Sequence, residues 1–94
     1  MESYLICYDI ADAKRLRKVA RICEDFGYRQ QLSVFLVRVG TTEYVRLRSR
    51  LYDVIHPDED QVLIIPLSES NLRRMETLGR PTEEYDKNDV VIVI

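Results

Sequence analysis

Ninety-four residues suit one domain and leave little room for a second, so a single unit over 1–94 is expected, with a core over 1–67 and a tail over 68–94. An apolar fraction of 46% and a charged fraction of 32% are those of a globular protein, and no apolar run approaches the roughly 20 residues of a membrane span. The net charge of −2 conceals an asymmetry, since residues 1–50 carry +4 and residues 51–94 carry −6; a basic first half meets phosphates or simply solvent.

The first predicted element is a strand over Ser3–Ile10, apolar on both faces, with Tyr4, Ile6, Tyr8 and Ile10 pointing one way and Leu5, Cys7 and Asp9 the other. A strand apolar on both sides belongs in the middle of a sheet. Asp12 is a good N-cap for a helix over Ala13–Phe26. Leu16, Val19, Ala20, Cys23 and Phe26 form its apolar side. Lys14, Arg15, Arg17, Lys18 and Arg21 make the rest basic, and Gly27 supplies the stop.

Leu32–Val39 reads as the second strand, ended by Gly40. Thr41 or Thr42 caps a second helix carrying Tyr44, Leu47, Leu51, Val54 and Ile55, which stops before His56-Pro57 because the residue before proline disfavours the α region. An acidic turn, Asp58–Asp60, leads into a third strand over Val62–Leu67. Residues 68–80 fit a short helix through Leu72, Met75 and Leu78, or an irregular edge strand. Pro81–Asn88 reads as a loop, and Asp89–Ile94 as a terminal strand that completes its own sheet or adds to a partner's. The order predicts an α+β, ferredoxin-like βαββαβ sandwich with two helices on one face of an antiparallel sheet and a C-terminal strand available to a partner subunit. Fold alone does not give function.

Asp9 is the first candidate site residue. A carboxylate at the end of a central apolar strand is costly to bury without a partner or a metal, although a solvent-facing lead into the turn explains it as well. One carboxylate is a poor metal site. A twofold axis would bring two copies together, and two carboxylates with waters suit Mg²⁺ or Mn²⁺. Arg15, Arg17, Lys18 and Arg21 follow a few residues on, with Arg29 after the helix, and suit a phosphate backbone as well as a solvated face. His56, in a His-Pro turn, is a poor general base. Ser33 has no nucleophile-elbow context and reads as a strand residue, and there is no glycine-rich phosphate loop. Cys7 and Cys23 fall on apolar positions, form no CxxC pair and, with one histidine, no zinc set. Two reduced thiols and no leader pattern make the cytoplasm the expected compartment, with no membrane partner.

The segment YLICYDI (Tyr4–Ile10), then a basic helix, then GYRQQLSVF (Gly27–Phe35), resembles the Cas-two family of CRISPR systems. In that family the first strand ends in Tyr-Asp, here Tyr8-Asp9, and the second opens on a pattern like G-x-R-V-Q-x-S-V-F-E. Arg29, Gln31, Ser33, Val34 and Phe35 keep that pattern; Gln30 replaces the usual valine and Leu36 the usual acidic residue. Gln61–Leu67 (QVLIIPL) and the following ETLGRP also look like the family's, while the second helix and the last fifteen residues match least.

The resemblance implies a homodimer with its two sheets packed together and each tail adding a strand to the other sheet. It implies one Mg²⁺ (or Mn²⁺) shared across the dimer axis by the two Asp9 side chains, with Asp9 both catalytic residue and metal ligand. Arg15, Arg17, Lys18 and Arg29 would bind nucleic acid, and Tyr8, Ser33 and Phe35 would support the site. Two roles are implied: an endonuclease hydrolysing RNA or DNA phosphodiesters, and an adaptor that joins the Cas-one integrase and holds DNA during spacer acquisition. The rivals are a non-catalytic DNA-binding scaffold in that same complex, a small-molecule sensing ferredoxin-like domain with a pocket at its dimer interface, and an RNA-recognition sheet. The last would need an RNP-type aromatic run that residues 32–39 lack.

Overall fold

The computed structural model describes residues 1–81. Its elements are β1 (Glu2–Asp9), α1 (Ala13–Phe26), β2 (Gly27–Gln31), β3 (Val34–Val39), α2 (Thr41–Val54), β4 (Gln61–Leu67) and a short α3 (Glu69–Arg73). The strands form one sheet in the order β2-β3-β1-β4 with every neighbouring pair antiparallel. This is the ferredoxin-like α+β arrangement expected from the sequence, and β1 is central as its two apolar faces require. The expected loop over 81–88, beyond Pro81, and the expected strand Asp89–Ile94 lie outside the described residues.

One sheet face carries the main core. Ile6, Tyr8, Phe35, Val37 and Val39 meet Val19, Ile22 and Cys23 of α1 and Leu47 and Leu51 of α2. Phe35, Ile6, Leu47 and Val19 have no exposed surface, so each contributes on the order of 1.5–3 kcal/mol by leaving water. The opposite face is open over much of its area. There α3 covers only part of it, with Leu72 packing on Leu36 beside Leu5, Leu67, Tyr28 and Met75.

Four local expectations are corrected. The stretch read as a strand from Leu32 is a hairpin: β2 precedes it, Leu32–Ser33 form the turn, and β3 begins at Val34. The turn has no glycine or asparagine and none of its residues takes a positive φ, so the usual hairpin signature is missing. A register shift between Arg29 and Gln31 marks a bulge, a device that bends the strand and raises its twist. Second, Gly27 does not stop α1 by a left-handed turn. Its φ of −167° is extended, and a Cβ there would lie 2.2 Å from the Leu36 carbonyl oxygen. Third, Gly40 rather than Thr41 or Thr42 is the N-cap of α2, and the Gly40 N–H donates to Glu43 Oε1 at 3.1 Å. Fourth, the buried stripe of α1 is Val19, Ile22 and Cys23, whereas Leu16 is 41% exposed. The ambiguous segment after Leu67 opens as a helix because Ser68 and Asn71 close a reciprocal cap: Ser68 Oγ accepts from Asn71 N at 3.1 Å and Asn71 Oδ1 from Ser68 N at 3.2 Å.

Candidate functional site

Asp9 is the last residue of β1 and pairs with Gln61, the first of β4. Alternation along β1 sends Tyr4, Ile6 and Tyr8 into the helix-covered core and places Asp9, Cys7 and Leu5 on the open face. Asp9 is exposed there. On that face Leu63, opposite Cys7 and diagonal to Asp9, is 49% exposed, and Ile65, further along β4 opposite Leu5, is 41% exposed. A carboxylate thus stands at the rim of an apolar sheet surface that α3 leaves open.

Directly behind it lie the expected supporting residues. The Tyr8 ring is buried and stacks on Phe35 with centroids 6.3 Å apart. The Tyr8 N–H donates to the Ser33 carbonyl at 3.0 Å and its hydroxyl to the Leu32 carbonyl at 3.3 Å, so the end of β1 is tied to the β2–β3 turn. Burial, chiefly, raises the Tyr8 hydroxyl above its usual pKa, so it stays protonated. The Arg29 guanidinium carbon sits 5.0 Å over the Phe35 ring. Its Nε is buried with no hydrogen-bond partner among the described residues. Arg29 therefore belongs to this packed group, a cation held against an aromatic face, rather than to a freely extended basic surface.

The basic residues of α1 divide into two sets. Arg17, Lys18 and Arg21 are exposed, and no ion pair engages them among the described residues. Arg15 is different. It lies one turn before Val19 on the inner side of the helix, and its guanidinium grips the loop that precedes β4. Arg15 Nε donates to Asp60 Oδ2 at 2.7 Å, and the same guanidinium reaches Asp60 Oδ1 at 3.2 Å and Glu59 Oε1 at 3.1 Å. Its expected place on a phosphate-binding face is corrected accordingly: the side chain is 24% exposed and spent on two carboxylates.

Neither Asp60 nor Gln61, which pairs with Asp9, stands out in the sequence as a site residue. The Asp60 side chain is wholly shielded from solvent and accepts four hydrogen bonds, the other two from the Ala11 N–H at 2.9 Å and the His56 N–H at 2.8 Å. Arg15 first, then the two backbone donors, holds its carboxyl well below the ordinary carboxylate range. The one available signal was an arginine at a core-facing helix position with an acidic turn, Asp58–Asp60, downstream. His56 is exposed, and its Nδ1 accepts from the Asp58 N–H at 3.2 Å, which commits the ring to the turn. Cys23 is buried, and burial pushes its thiol up to about 12, so it is no nucleophile at neutral pH.

Residues 1–75 match the family described as CRISPR associated protein Cas2. This chain belongs to that family. A Cas2 relative from Synechocystis sp., named a CRISPR-associated endoribonuclease, is 32% identical over 89 residues, covering 95% of this chain and 97% of its own. One from Moorella thermoacetica, of the same name, is 39% identical over 80 residues, covering 80% and 83%. Among solved structures, Streptococcus pyogenes Cas2 superposes with a TM-score of 0.75 at 38% identity, covering 82% of this chain and 99% of that one. A chain of a partial Cas6-RT-Cas1–Cas2 complex superposes with a TM-score of 0.72 at 27% identity, covering 92% and 95%. Cas2 membership accords with the ferredoxin-like sheet and with the Tyr8-Asp9 strand end. Among the described residues no helix is long and apolar enough to cross a membrane.

Whether Asp9 fits a divalent ion is decided by its donor set. No three His, Cys, Asp or Glu side chains gather into a metal cluster among the described residues. Among the described residues Asp9 is therefore part of no three-ligand cluster, and a second copy would bring a second carboxylate to it. A pair of carboxylates completed by water suits Mg²⁺ or Mn²⁺ and not a soft metal.

Proposed function

We propose that this Cas2 chain is a CRISPR adaptation protein that works as a homodimer, binds nucleic acid together with the Cas1 integrase, and hydrolyses RNA or DNA phosphodiesters by a divalent-metal-dependent reaction centred on Asp9. The observation that carries the reading is the position of Asp9: an exposed carboxylate at the end of the central strand, on the one sheet face whose apolar residues Leu63 and Ile65 stand open. Packing that face on its own copy buries the patch and brings two Asp9 side chains to one axis. The curated relatives bear endoribonuclease names, and one structural neighbour belongs to a complex with Cas1, which supports both halves of the proposal.

The two Asp9 carboxylates would hold one Mg²⁺ or Mn²⁺, which when bound supplies an acidified water and neutralises charge on the scissile phosphate. Arg17, Lys18 and Arg21 attract the backbone by charge, since they are exposed. Tyr8, Phe35 and the Ser33 carbonyl keep the strand end from moving as substrate docks. Arg29 fixes a positive charge behind it. Phosphoryl transfer asks for little beyond such positioning and electrostatics.

The second reading within the family is a DNA-holding scaffold without catalysis, favoured by the absence of any three-ligand metal cluster among the described residues. One experiment separates the two. Wild type and Asp9→Ala are incubated with labelled single-stranded RNA and duplex DNA in Mg²⁺, Mn²⁺ or EDTA. Metal-dependent cutting by the wild type and none by Asp9→Ala is expected, with the variant's fold and oligomeric state unchanged. Equal cutting by both would sink the catalytic assignment. Absence of cutting by either, with duplex DNA and Cas1 still bound, would leave the scaffold role.

A further inference from the structure

Asp60 has the geometry of a part that holds something else in place. Four donors fill its two oxygens: Ala11 N–H and one Arg15 Nη on Oδ1, Arg15 Nε and His56 N–H on Oδ2. A carboxylate so saturated and fully shielded has no lone pair left for substrate or metal. What it touches matters more. Ala11 lies two residues after Asp9, in the turn that leaves β1, and Arg15 is in the first turns of α1. On its other side Asp60 is followed by Gln61, which pairs directly with Asp9 across the β1–β4 ladder. The same carboxylate thus clamps the chain on both sides of Asp9: the exit of β1 through Ala11, and the entry of β4 through its own backbone. Asp12 closes the same turn from within, its carboxylate accepting from Arg15 N at 3.0 Å.

Taking Asp9 as the reacting carboxylate proposed above, we propose that Asp60, acting with Arg15, is a positioning residue that sets the backbone of Asp9 and the direction its carboxylate takes at the rim of the open sheet face. The basic side of α1 is then not a uniform phosphate-binding strip. Arg15 serves the geometry of the site from inside, and Arg17, Lys18 and Arg21 serve the substrate from outside. Asp60→Asn breaks the clamp without changing its size, because an amide nitrogen would face a donor where a carboxylate oxygen stood. Arg15→Lys keeps the charge and loses the planar fork that spans both oxygens.

Three readouts test this on the intact chain. The first is turnover on the substrate that wild type cuts. Both variants are expected to lose about 10²-fold in kcat, the scale of a small misplacement, with KM within about twofold. The second is Mn²⁺ titrated by calorimetry, without substrate, where affinity is expected to fall roughly tenfold to a hundredfold. The third is amide exchange by NMR. The Ala11 N–H should lose protection in Asp60→Asn while the Ile6 and Val37 amides keep theirs. A lower KM in Asp60→Asn would mean that freed Arg15 contacts phosphate, and would overturn the proposal. Faster exchange across β1 and β3 alike, or failure of both variants to fold, would make the clamp a general folding element and would overturn it too. Asp9→Ala run alongside keeps the two claims apart. If Asp9→Ala is inactive while Asp60→Asn and Arg15→Lys keep wild-type kcat and Mn²⁺ affinity, the positioning role fails and the Asp9 assignment stands. If Asp9→Ala cuts and binds Mn²⁺ as wild type does, the Asp9 assignment fails and takes the positioning role with it.

Discussion

Replacing Gly27 by alanine should be among the most damaging single-methyl changes in this protein. Gly27 opens β2 opposite Val37, and its extended φ of −167° suits any residue, so conformation is not the obstacle. Space is. A Cβ would stand 2.2 Å from the Leu36 carbonyl oxygen, 2.9 Å from its carbonyl carbon and 2.7 Å from Val37 Cγ1. Relief requires about 1.2 Å of retreat, because ordinary contacts of a Cβ begin at 3.4 Å. The nearest atom is backbone, and Leu36 is also paired with Leu5 of β1, so β3 cannot yield without straining the centre of the sheet. Side-chain rotation gives no escape. Overpacking typically costs 1–3 kcal/mol, and a rigid obstacle puts this case at the upper end, about 3 kcal/mol. For a domain of this size each kcal/mol lowers Tm by roughly 4–8 °C, so a fall of about 12–24 °C is expected. The assay is thermal unfolding followed by far-UV circular dichroism, at one protein concentration so that association does not shift the midpoint. Gly27→Asn distinguishes the cause. A left-handed helix stop tolerates asparagine, whereas the steric account has it falling at least as far as alanine. A Gly27→Ala protein melting within about 3 °C of wild type, well under 1 kcal/mol, would refute the reasoning.

The pH dependence of stability should carry the signature of Asp60. Its carboxyl is held below the ordinary range, first by Arg15, so its contribution is complete above the unfolded value of about 3.9 and is lost as pH falls below that towards the folded value. Wild-type Tm should drop more steeply than that of Asp60→Asn as the pH is lowered from about 5 to 3; parallel slopes would contradict the ion-pair account. Cys23 should resist iodoacetamide at neutral pH in the folded protein and react on unfolding, since burial raises its thiol to about 12; mass spectrometry of the labelled peptides reads this directly. Tyr8→Phe removes the hydroxyl bond to the Leu32 carbonyl and leaves the stacked ring, so a loss of about 0.5–1.5 kcal/mol in denaturant unfolding is expected. A loss above about 3 kcal/mol would mean that the hydroxyl holds more of the turn than this one bond.

The amino-acid pattern already contained the frame. Apolar residues on both faces of β1 required a central strand, Asp12 and the 3.6-residue periodicity delimited α1, and His56-Pro57 ended α2, because each of these signals acts within a few residues of chain. Asp9 also stood out locally, as a carboxylate closing an apolar strand. Other features depended on partners distant in sequence. The β2–β3 hairpin has no glycine or asparagine in its turn, so nothing local announced it, and only the pairing of Gly27–Gln31 with β3 reveals it. Gly27 read as a helix stop because the carbonyl of Leu36, nine residues away, cannot be seen from its neighbours. Arg15 read as one more surface cation because its placement on the inner side of α1 acquires meaning only when the turn at Glu59 and Asp60 is folded against it, 44 and 45 residues on. Periodicity and capping are properties of adjacent residues and survive in the bare sequence. Steric room, ion-pair partners and the identity of the exposed sheet face belong to contacts between segments, and come into being only when the sheet closes and α1 and α2 settle on one side of it.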